Sequence, residues 1–449
     1  MMIRVSTTSQ SGQDTDEYEL EKTKRTKGKH NLLDRISLLP HEILVSIVSL
    51  LSLKEAAATS VLSKRWQNLW KYTMTLNFQD VDFSVGDNFH CYIALVQELR
   101  DRKNRKYVSW MDRVLEQHQG QYIERFRAYF FLHSEFKNSI DKWIEFAMQK
   151  RVQVLELQLL IPEYDYARDN YAFPHNLLGM TDEVLDYFLS NCPVLERLTV
   201  TDARGLVCLR VVGASISLKY LTVNGCPNLK SIEICNANIV SFVYRGAGMD
   251  LFISNVPFLI EVHISERALD NVDFTTLAFT RLSSCLSHLE ILKLNICGVV
   301  YNQNYDFPIL ENLKQLELNV ETDYHSALYH LSSFMKACPH IHRLVLKLDF
   351  RRTDVETTVS RAPKFPHHSL KVVEIMGYRG YECAVKHVVY LIESVVALEK
   401  IIIDPLRRWI WPPGMDREPD MVKEEVKARK HAKEHLQERV PSTIEFVCL

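Results

Sequence analysis

Residues 289–294 read LEILKL and residues 313–318 read LKQLEL, and this hexad, apolar at its first, fourth and sixth positions, recurs along the chain. The other copies are LERLTV (195–200), LKYLTV (218–223), LKSIEI (229–234), LIEVHI (259–264), IHRLVL (341–346), LKVVEI (370–375) and LEKIII (398–403). From Leu259 onward they begin 24 to 30 residues apart. The last two apolar positions flank a non-core position, as on a strand with one buried face. One unit cannot bury such a face alone, so the pattern predicts repeats stacked around a continuous core.

Residues 34–72 carry a different, helical pattern, DRISLLPHEILVSIVSLLSLKEAAATSVLSKRWQNLWKY. Pro40 suits the first turn of a helix, and apolar residues then recur on one face. Ser52 and Glu55 have the spacing of a capping box that opens a second helix, and Ser63 can cap a third. Three helices of this size cannot enclose every apolar side chain they carry. Either the rest of the chain or a partner protein must cover the remainder.

The segments LPHEIL, SLKEAAATSVLSKRW and NLW within this stretch together resemble the F-box of plant F-box proteins. The resemblance implies docking onto a Skp-type adaptor, which in turn binds a cullin. It implies that the adaptor-facing residues are Leu39, Pro40, Ile43, Leu44, Ile47, Leu51, Val61, Leu62, Trp66 and Trp70. His41 departs from the family pattern, where an acidic residue is common, and Ser52 replaces a frequent proline.

The hexad spacing is near that of leucine-rich repeats, whose unit is a short strand followed by a helix or turn. Residues 138–159, NSIDKWIEFAMQKRVQVLELQL, have helical and then strand spacing, and they resemble the first repeat after the F-box in plant F-box proteins. Residues 369–405, SLKVVEIMGYRGYECAVKHVVYLIESVVALEKIIIDP, resemble the FBD module at the end of many such chains. An ordinary last repeat would account for this segment equally well.

The sequence therefore predicts an α/β chain in which a three-helix F-box precedes a leucine-rich-repeat solenoid, or horseshoe. The expected divisions are a disordered leader (1–31), the F-box (32–75), a linker or helical connection (76–119), the repeats (120–369), a terminal FBD-like repeat (370–410) and a charged tail (411–449). Within the tail, Asp416 to Arg439 is expected to form a solvated helix.

The concave side of such an array is its expected working surface, because strand residues between the core positions point outward there. The hexad register predicts target contacts from Gln158, Thr199, Thr222, Glu233, His263, Lys293, Glu317, Val345, Glu374 and Ile402. Their mixed signs and polarities disfavour a nucleic-acid groove and suit a protein or peptide target. Every such array has a concave face, however, whether or not that face is used.

Composition narrows the function classes. The 54 Lys and Arg residues are balanced by 56 Asp and Glu, so no strong field would attract nucleic acid or an anionic membrane. No apolar run reaches the roughly 18 residues of a membrane-spanning helix, and the N-terminus lacks a secretory signal core. We therefore expect an intracellular protein of the nucleus, the cytoplasm or both. Its 10 cysteines among 449 residues are too sparse for a disulfide scaffold and are expected to be free.

Few side chains suggest catalysis. His431 and His435 stand at i and i+4 in HAKEH, a spacing that could hold zinc on one helix face. Ala432 and Glu434 break the protease signature, however, so a solvated charged helix is favoured. His367 and His368 are expected at the surface of a loop. No glycine-rich phosphate loop or G-x-S-x-G motif occurs.

The sequence thus favours a non-enzymatic substrate receptor without cofactor or metal, in which the F-box grips the adaptor and the repeats hold an unidentified target protein. A second hypothesis is an interaction scaffold that uses its repeats without the ubiquitin machinery. A third, a hydrolase or metalloenzyme built on HAKEH, has little support.

Overall fold

The computed structural model describes residues 35–78, 93–130, 136–159, 192–203, 206–213, 217–266, 282, 285–296, 307–320, 324–348, 365–408 and 419–449. The expected disordered leader (1–31) lies outside the described residues.

The N-terminal module, residues 35–74, contains two α-helices, α1 (His41–Ser49) and α2 (Leu53–Ala58). The predicted capping box of α2 is present. The Glu55 backbone N–H donates to Ser52 Oγ at 3.3 Å, and the Ser52 N–H donates to Glu55 Oε2 at 3.0 Å. Ser52, which replaces a proline common in the family, is thus accounted for locally, because its side chain satisfies a free N–H at the start of α2.

The predicted third helix of this module is wrong. Turns and one short 3₁₀ segment, Leu69–Tyr72, take its place, and another 3₁₀ segment, Thr59–Val61, directly follows α2. The Trp66 and Leu69 N–H groups bond to carbonyls three residues earlier rather than four. The Trp66 indole N–H donates to Ser37 Oγ at 2.7 Å, which draws this ring into the core of the module.

The rest of the described chain is built on parallel strands. The strands are β1 (Thr75–Asn77), β2 (Arg125–Phe130), β3 (Val154–Leu159), β4 (Arg197–Thr201), β5 (Cys208–Val212), β6 (Tyr220–Asn224), β7 (Ser231–Cys235), β8 (Ser241–Gly246), β9 (Asp250–Ser254), β10 (Glu261–Glu266), β11 (Ile291–Ile296), β12 (Gln315–Val320), β13 (Arg343–Leu348), β14 (Val372–Met376), β15 (Lys400–Asp404) and β16 (Glu445–Cys448). The helices among them are α3 (Ile93–Gln117), α4 (Lys137–Gln149), α5 (Tyr324–Ala337), α6 (Glu382–Ser394) and α7 (Pro419–His431).

Thirteen strands form one continuous parallel sheet in the order β1-β2-β3-β4-β6-β8-β10-β11-β12-β13-β14-β15-β16. The strands β5, β7 and β9 form a second, three-stranded sheet. Between β4 and β10 each repeat therefore contributes one strand to each sheet. The long parallel sheet confirms the predicted repeat solenoid.

One continuous apolar core runs through the array. Alternate residues of each long-sheet strand enter it, such as Leu292 and Leu294 of β11, both at most 3% exposed. Helix α4 packs against the core through the stripe predicted from the sequence, with Ile140, Trp143, Ile144 and Ala147 all buried. Helix α4 thus lies on the core side of the sheet, and the alternate strand residues that do not enter the core form the opposite face.

The charged tail contradicts its expectation as a solvated helix. One face of α7 and of the π-helical turn Ala432–Leu436 is buried, with Ala428, Ala432 and Leu436 at most 1% exposed. Strand β16 then pairs in parallel with β15 as the last strand of the sheet. Apolar residues spaced among the charges at i, i+4 and i+8 supply the contact, so the array continues to residue 448 rather than 410.

The N-terminal module joins the sheet without an intervening segment. Strand β1 begins at Thr75, directly after the module, and pairs with β2. The Met74 carbonyl accepts from the Glu124 and Arg125 N–H groups at 2.9 and 3.1 Å. The Lys71 carbonyl accepts from the Gln119 N–H at 2.7 Å, so backbone bonds tie the module to the first repeats.

Candidate functional site

The N-terminal module has a small core of its own and an apolar exterior. Its core consists of Leu44, Val45, Val48, Ala56, Trp66 and Leu69, none more than 8% exposed. Six large apolar side chains of the module are exposed instead, and we call them the apolar set. They are Ile36, Leu38, Ile43, Leu50, Val61 and Leu62, from 47% exposed (Ile43) to 87% exposed (Leu50 and Val61). Apolar surface of this kind on so small a module is typical of a protein-interaction site.

The ten residues predicted to face an adaptor divide into three groups. Pro40, Ile43, Val61 and Leu62 are exposed. Leu39, Ile47, Leu51 and Trp70 are partly buried. Leu44 and Trp66 lie in the module's own core, at 0% and 6% exposure, so their truncation would test folding rather than docking.

The prediction omitted Ile36, Leu38 and Leu50, which belong to the exposed apolar set. Leu50 follows the last turn of α1 and belongs to its apolar spacing, and Leu38 precedes Pro40, but neither is among the residues that the F-box resemblance implies. An excess of leucine at the ends of a short helix was the signal available for them.

The second candidate surface is the face of the long sheet opposite the core, which we call the open face. Residues across it lie in register, and one row runs Arg127, Glu156, Thr199, Thr222, Val243, His263, Lys293, Glu317, Val345, Glu374, Ile402 and Val447. The structure thus brings eight of the ten predicted target contacts together: Thr199, Thr222, His263, Lys293, Glu317, Val345, Glu374 and Ile402. Their role in binding a target stays a prediction.

Two predicted residues fall elsewhere. Glu233 is wrong as an open-face residue, because its strand β7 belongs to the three-stranded sheet, where Glu233 pairs with Arg210 at 2.8 Å. Val243 of β8 occupies the corresponding place in the row. Gln158 stands opposite Thr201, one row further along, and its side chain lies outside the described residues. Val345 keeps its place but is only 4% exposed.

Ion pairs cross the strands of the open face. Lys293 Nζ lies 2.7 Å from Glu261 Oε1, and Lys347 Nζ lies 2.5 Å from Glu317 Oε1. The Arg197 guanidinium stands 4.0 Å over the Tyr220 ring. Partly exposed pairs of this kind contribute roughly 0–1 kcal/mol each to stability. The open face is therefore charged but locally balanced, and a partner can exchange these pairs for its own at small cost.

His263 lies at the middle of the open face among cations. Its pKa is lowered to about 3, chiefly by burial and in part by Arg245, Lys293 and Lys347, while Glu261 opposes the shift. The imidazole is therefore neutral at physiological pH, and its ring nitrogens can donate one hydrogen bond and accept another.

This environment makes stability depend on pH. Above pH ~6.5 His263 is neutral in both the folded and unfolded chains and contributes no pH dependence. Below that pH the imidazole binds a proton in the unfolded chain but not in the folded chain. The free energy of unfolding therefore falls by ~1.4 kcal/mol per pH unit, down to the folded pKa of about 3. We expect His263→Gln to reduce the pH dependence of the unfolding free energy, measured by urea unfolding between pH 6.5 and 5, by the amount that corresponds to about one bound proton. Replacing the exposed His342 by Gln is the control, and an equal effect of the two variants would contradict the assignment.

Two other histidine predictions are settled by geometry. His367 is not at the surface: it is 1% exposed, and its Nδ1 accepts from the Leu370 N–H at 3.1 Å. Its Nε2 therefore carries the hydrogen and donates to the Cys338 carbonyl at 2.9 Å. In HAKEH, His431 Nδ1 is hydrogen-bonded to the Tyr378 hydroxyl at 2.9 Å. This contact ties the tail to the loop after β14.

No group of three His, Cys, Asp or Glu side chains in the described part of the chain could hold a metal ion. Cys192, Cys226 and Cys338, which precede prolines at repeat corners, are all at most 2% exposed. Burial raises the pKa of each thiol, to about 11 for Cys192 and Cys226. Such thiols are packing residues rather than nucleophiles. None of the described helices combines the length and apolarity needed to cross a membrane.

Comparison with known proteins assigns the family. The F-box domain model matches residues 36–75, and the model described as "At1g61320/AtMIF1, LRR domain" matches residues 178–449. An F-box/LRR-repeat protein of Arabidopsis thaliana is 30% identical over 58% of this chain and 36% of its own length. A second F-box/LRR-repeat protein of that plant is 24% identical over 82% of both chains, and an FBD-associated F-box protein is 23% identical over 86% of this chain and 92% of its own. The chain belongs to the F-box/leucine-rich-repeat protein family.

Proposed function

We propose that this chain is the substrate-recognition subunit of an SCF-type (Skp–cullin–F-box) ubiquitin ligase. The F-box, residues 32–75, docks on a Skp-type adaptor and through it on a cullin. The repeats, which we place from about residue 120 onward, bind a target protein in the nucleus or the cytoplasm. The chain itself performs no chemistry, because holding a target near the transferring enzyme raises the effective concentration of its lysines.

The exposed apolar set carries this proposal. Six large apolar side chains stand outside a module whose own core is already filled. Leaving them in water is unfavourable by ~25 cal/mol per Å² of apolar surface, and a partner that covers them recovers this free energy. In an F-box chain, the partner that this surface fits is the adaptor.

The open face supports the target role. It offers neutral His263, threonines and cross-strand ion pairs in one registered row. Mixed polar character of this kind suits a protein surface or peptide better than a polyanion. These residues do not identify the target protein.

Charged substitutions in the apolar set test the adaptor contact. We expect Val61→Glu combined with Leu62→Glu to abolish capture of the Skp-type adaptor, because two carboxylates would lose their hydration in an apolar interface. Both side chains are well exposed, so the module should still fold. The matched control is Val396→Glu, at a site 66% exposed in the repeats, which should leave capture unchanged. Full capture by the double variant would refute adaptor docking through this surface.

An interaction scaffold that works without the ubiquitin machinery is the second candidate function. The departures at His41 and Ser52 motivate it. His41 packs edge-on against the Tyr72 ring, with centroids 5.2 Å apart, and Ser52 caps α2, so both residues have structural roles within the module. Co-purification from the native tissue distinguishes the two functions, since a scaffold would bring down neither adaptor nor cullin.

A further inference from the structure

A cavity of about 430 Å³ lies where the F-box meets helix α3, and we call it the junction cavity. It is lined by Leu53, Lys54, Ala57, Trp70, Trp110, Arg113, Val114 and Gln117. Its volume falls in the range of roughly 300–1,000 Å³ that small-molecule sites occupy. The first four of these residues come from the F-box and the last four from α3, so an occupant would contact both parts of the chain at once.

The walls of the junction cavity are aromatic and held in place. Trp110 packs against Phe78 with ring centroids 5.2 Å apart and against Tyr107 at 5.9 Å, and both partners are buried. Trp70 packs against the core of the F-box and also against the core of the repeats. Two indoles fixed by their neighbours offer a flat ligand a large contact area at little cost in conformational entropy.

The charged residues that line the junction cavity have one sign. Lys54 and Arg113 belong to its lining, and Lys71 Nζ lies 6.0 Å from the Trp70 ring centroid. None of the eight described residues that line the cavity is acidic. Gln117 adds an amide that can donate or accept a hydrogen bond. The lining therefore combines an apolar aromatic interior with cations that favour an anion.

We propose that the junction cavity binds a small, flat, apolar anion, such as an aromatic carboxylate, with its ring against Trp70 and Trp110 and its carboxylate toward Lys54 and Arg113. The site is separate from the open face and from the exposed apolar set. Because its walls come from the F-box and from α3, a bound anion would stiffen the junction between them. This inference does not depend on the ligase role.

The probe is naphthalene-2-carboxylate, compared with the uncharged naphthalene-2-carboxamide, titrated into the full-length chain by calorimetry and ligand-observed NMR. We expect saturable binding of the carboxylate, at least about tenfold tighter than that of the amide. Lys54→Gln combined with Arg113→Gln should remove this preference. Ala57→Leu should narrow the cavity and weaken both ligands by about tenfold or more.

Matched controls lie on the same helices. Ala58→Leu on α2 and Lys106→Gln on α3 make the same chemical changes at exposed positions outside the cavity lining, and they should leave both affinities unchanged. Should Ala57→Leu disturb folding, the Lys54 and Arg113 substitutions still test the site, since both side chains are exposed. Equal binding of carboxylate and amide, or equal loss in the control variants, would overturn the proposal. So would binding of an acidic peptide to this cavity when neither naphthalene binds, because the occupant would then be a protein partner.

Discussion

Leu44→Ala is expected to destabilise the F-box by about 2–5 kcal/mol, whereas Ile43→Ala, one residue earlier, should leave it folded. Leu44 is 0% exposed in a six-residue core, and its truncation leaves a cavity that so small a module cannot easily fill. Ile43 is 47% exposed. Hydrogen exchange of the α1 and α2 amides in the full-length chain measures the difference without requiring the repeats to unfold.

The pair also separates folding from docking. Leu44→Ala should lose both amide protection and adaptor capture, and Ile43→Ala should keep protection while weakening capture. Equal loss of protection in the two variants would mean that the burial of these neighbouring side chains is assigned wrongly.

A chain that ends at Arg408 is expected to lose about 3 kcal/mol or more of unfolding free energy. The truncation removes β16 from the sheet and uncovers the surface on which Ala428, Ala432 and Leu436 pack. It also leaves β15 as an unprotected edge, which favours aggregation. Urea unfolding measures the loss, and light scattering reports the aggregation.

Single substitutions sharpen the same test. Leu436→Ala should cost about 2–5 kcal/mol, because this side chain is 0% exposed. Val426→Ala, at a site 56% exposed on α7, should change stability by no more than about 0.5 kcal/mol. If both variants unfold at the same urea concentration as the unaltered chain, the tail is not part of the repeat core.

The hexads predicted the long sheet well because they report a physical requirement, namely strands with one buried face. They could not report which sheet a strand joins. LKSIEI at 229–234 matches the hexad, yet it forms β7 of the small sheet. The spacing of the hexads indicates the difference. Leu218 and Leu229 are only 11 residues apart, which is too close for two successive strands of one sheet joined by a full repeat.

Strand β8, by contrast, belongs to the long sheet although its sequence does not match the hexad. Its core residues are Phe242 and Tyr244, both at 0% exposure, so aromatic rings stand where the hexad has aliphatic side chains. The tail was misjudged because its charges outnumber its apolar residues, although the few apolar ones share a face. The burial of His367 had no sequence signal, since it depends on hydrogen bonds to the Cys338 carbonyl and the Leu370 N–H in the folded chain.

The direct entry of the F-box into β1 has a consequence for how far such a receptor can reach. Neighbouring strands of a sheet are spaced by ~4.8 Å, so the distance from the adaptor to any point on the open face is counted in whole strands. Moving the bound target outward then requires the gain of an entire repeat, and moving it inward requires the loss of one. If the ligase role holds, family members with different numbers of repeats would hold their targets at distances from the adaptor that differ by whole repeats.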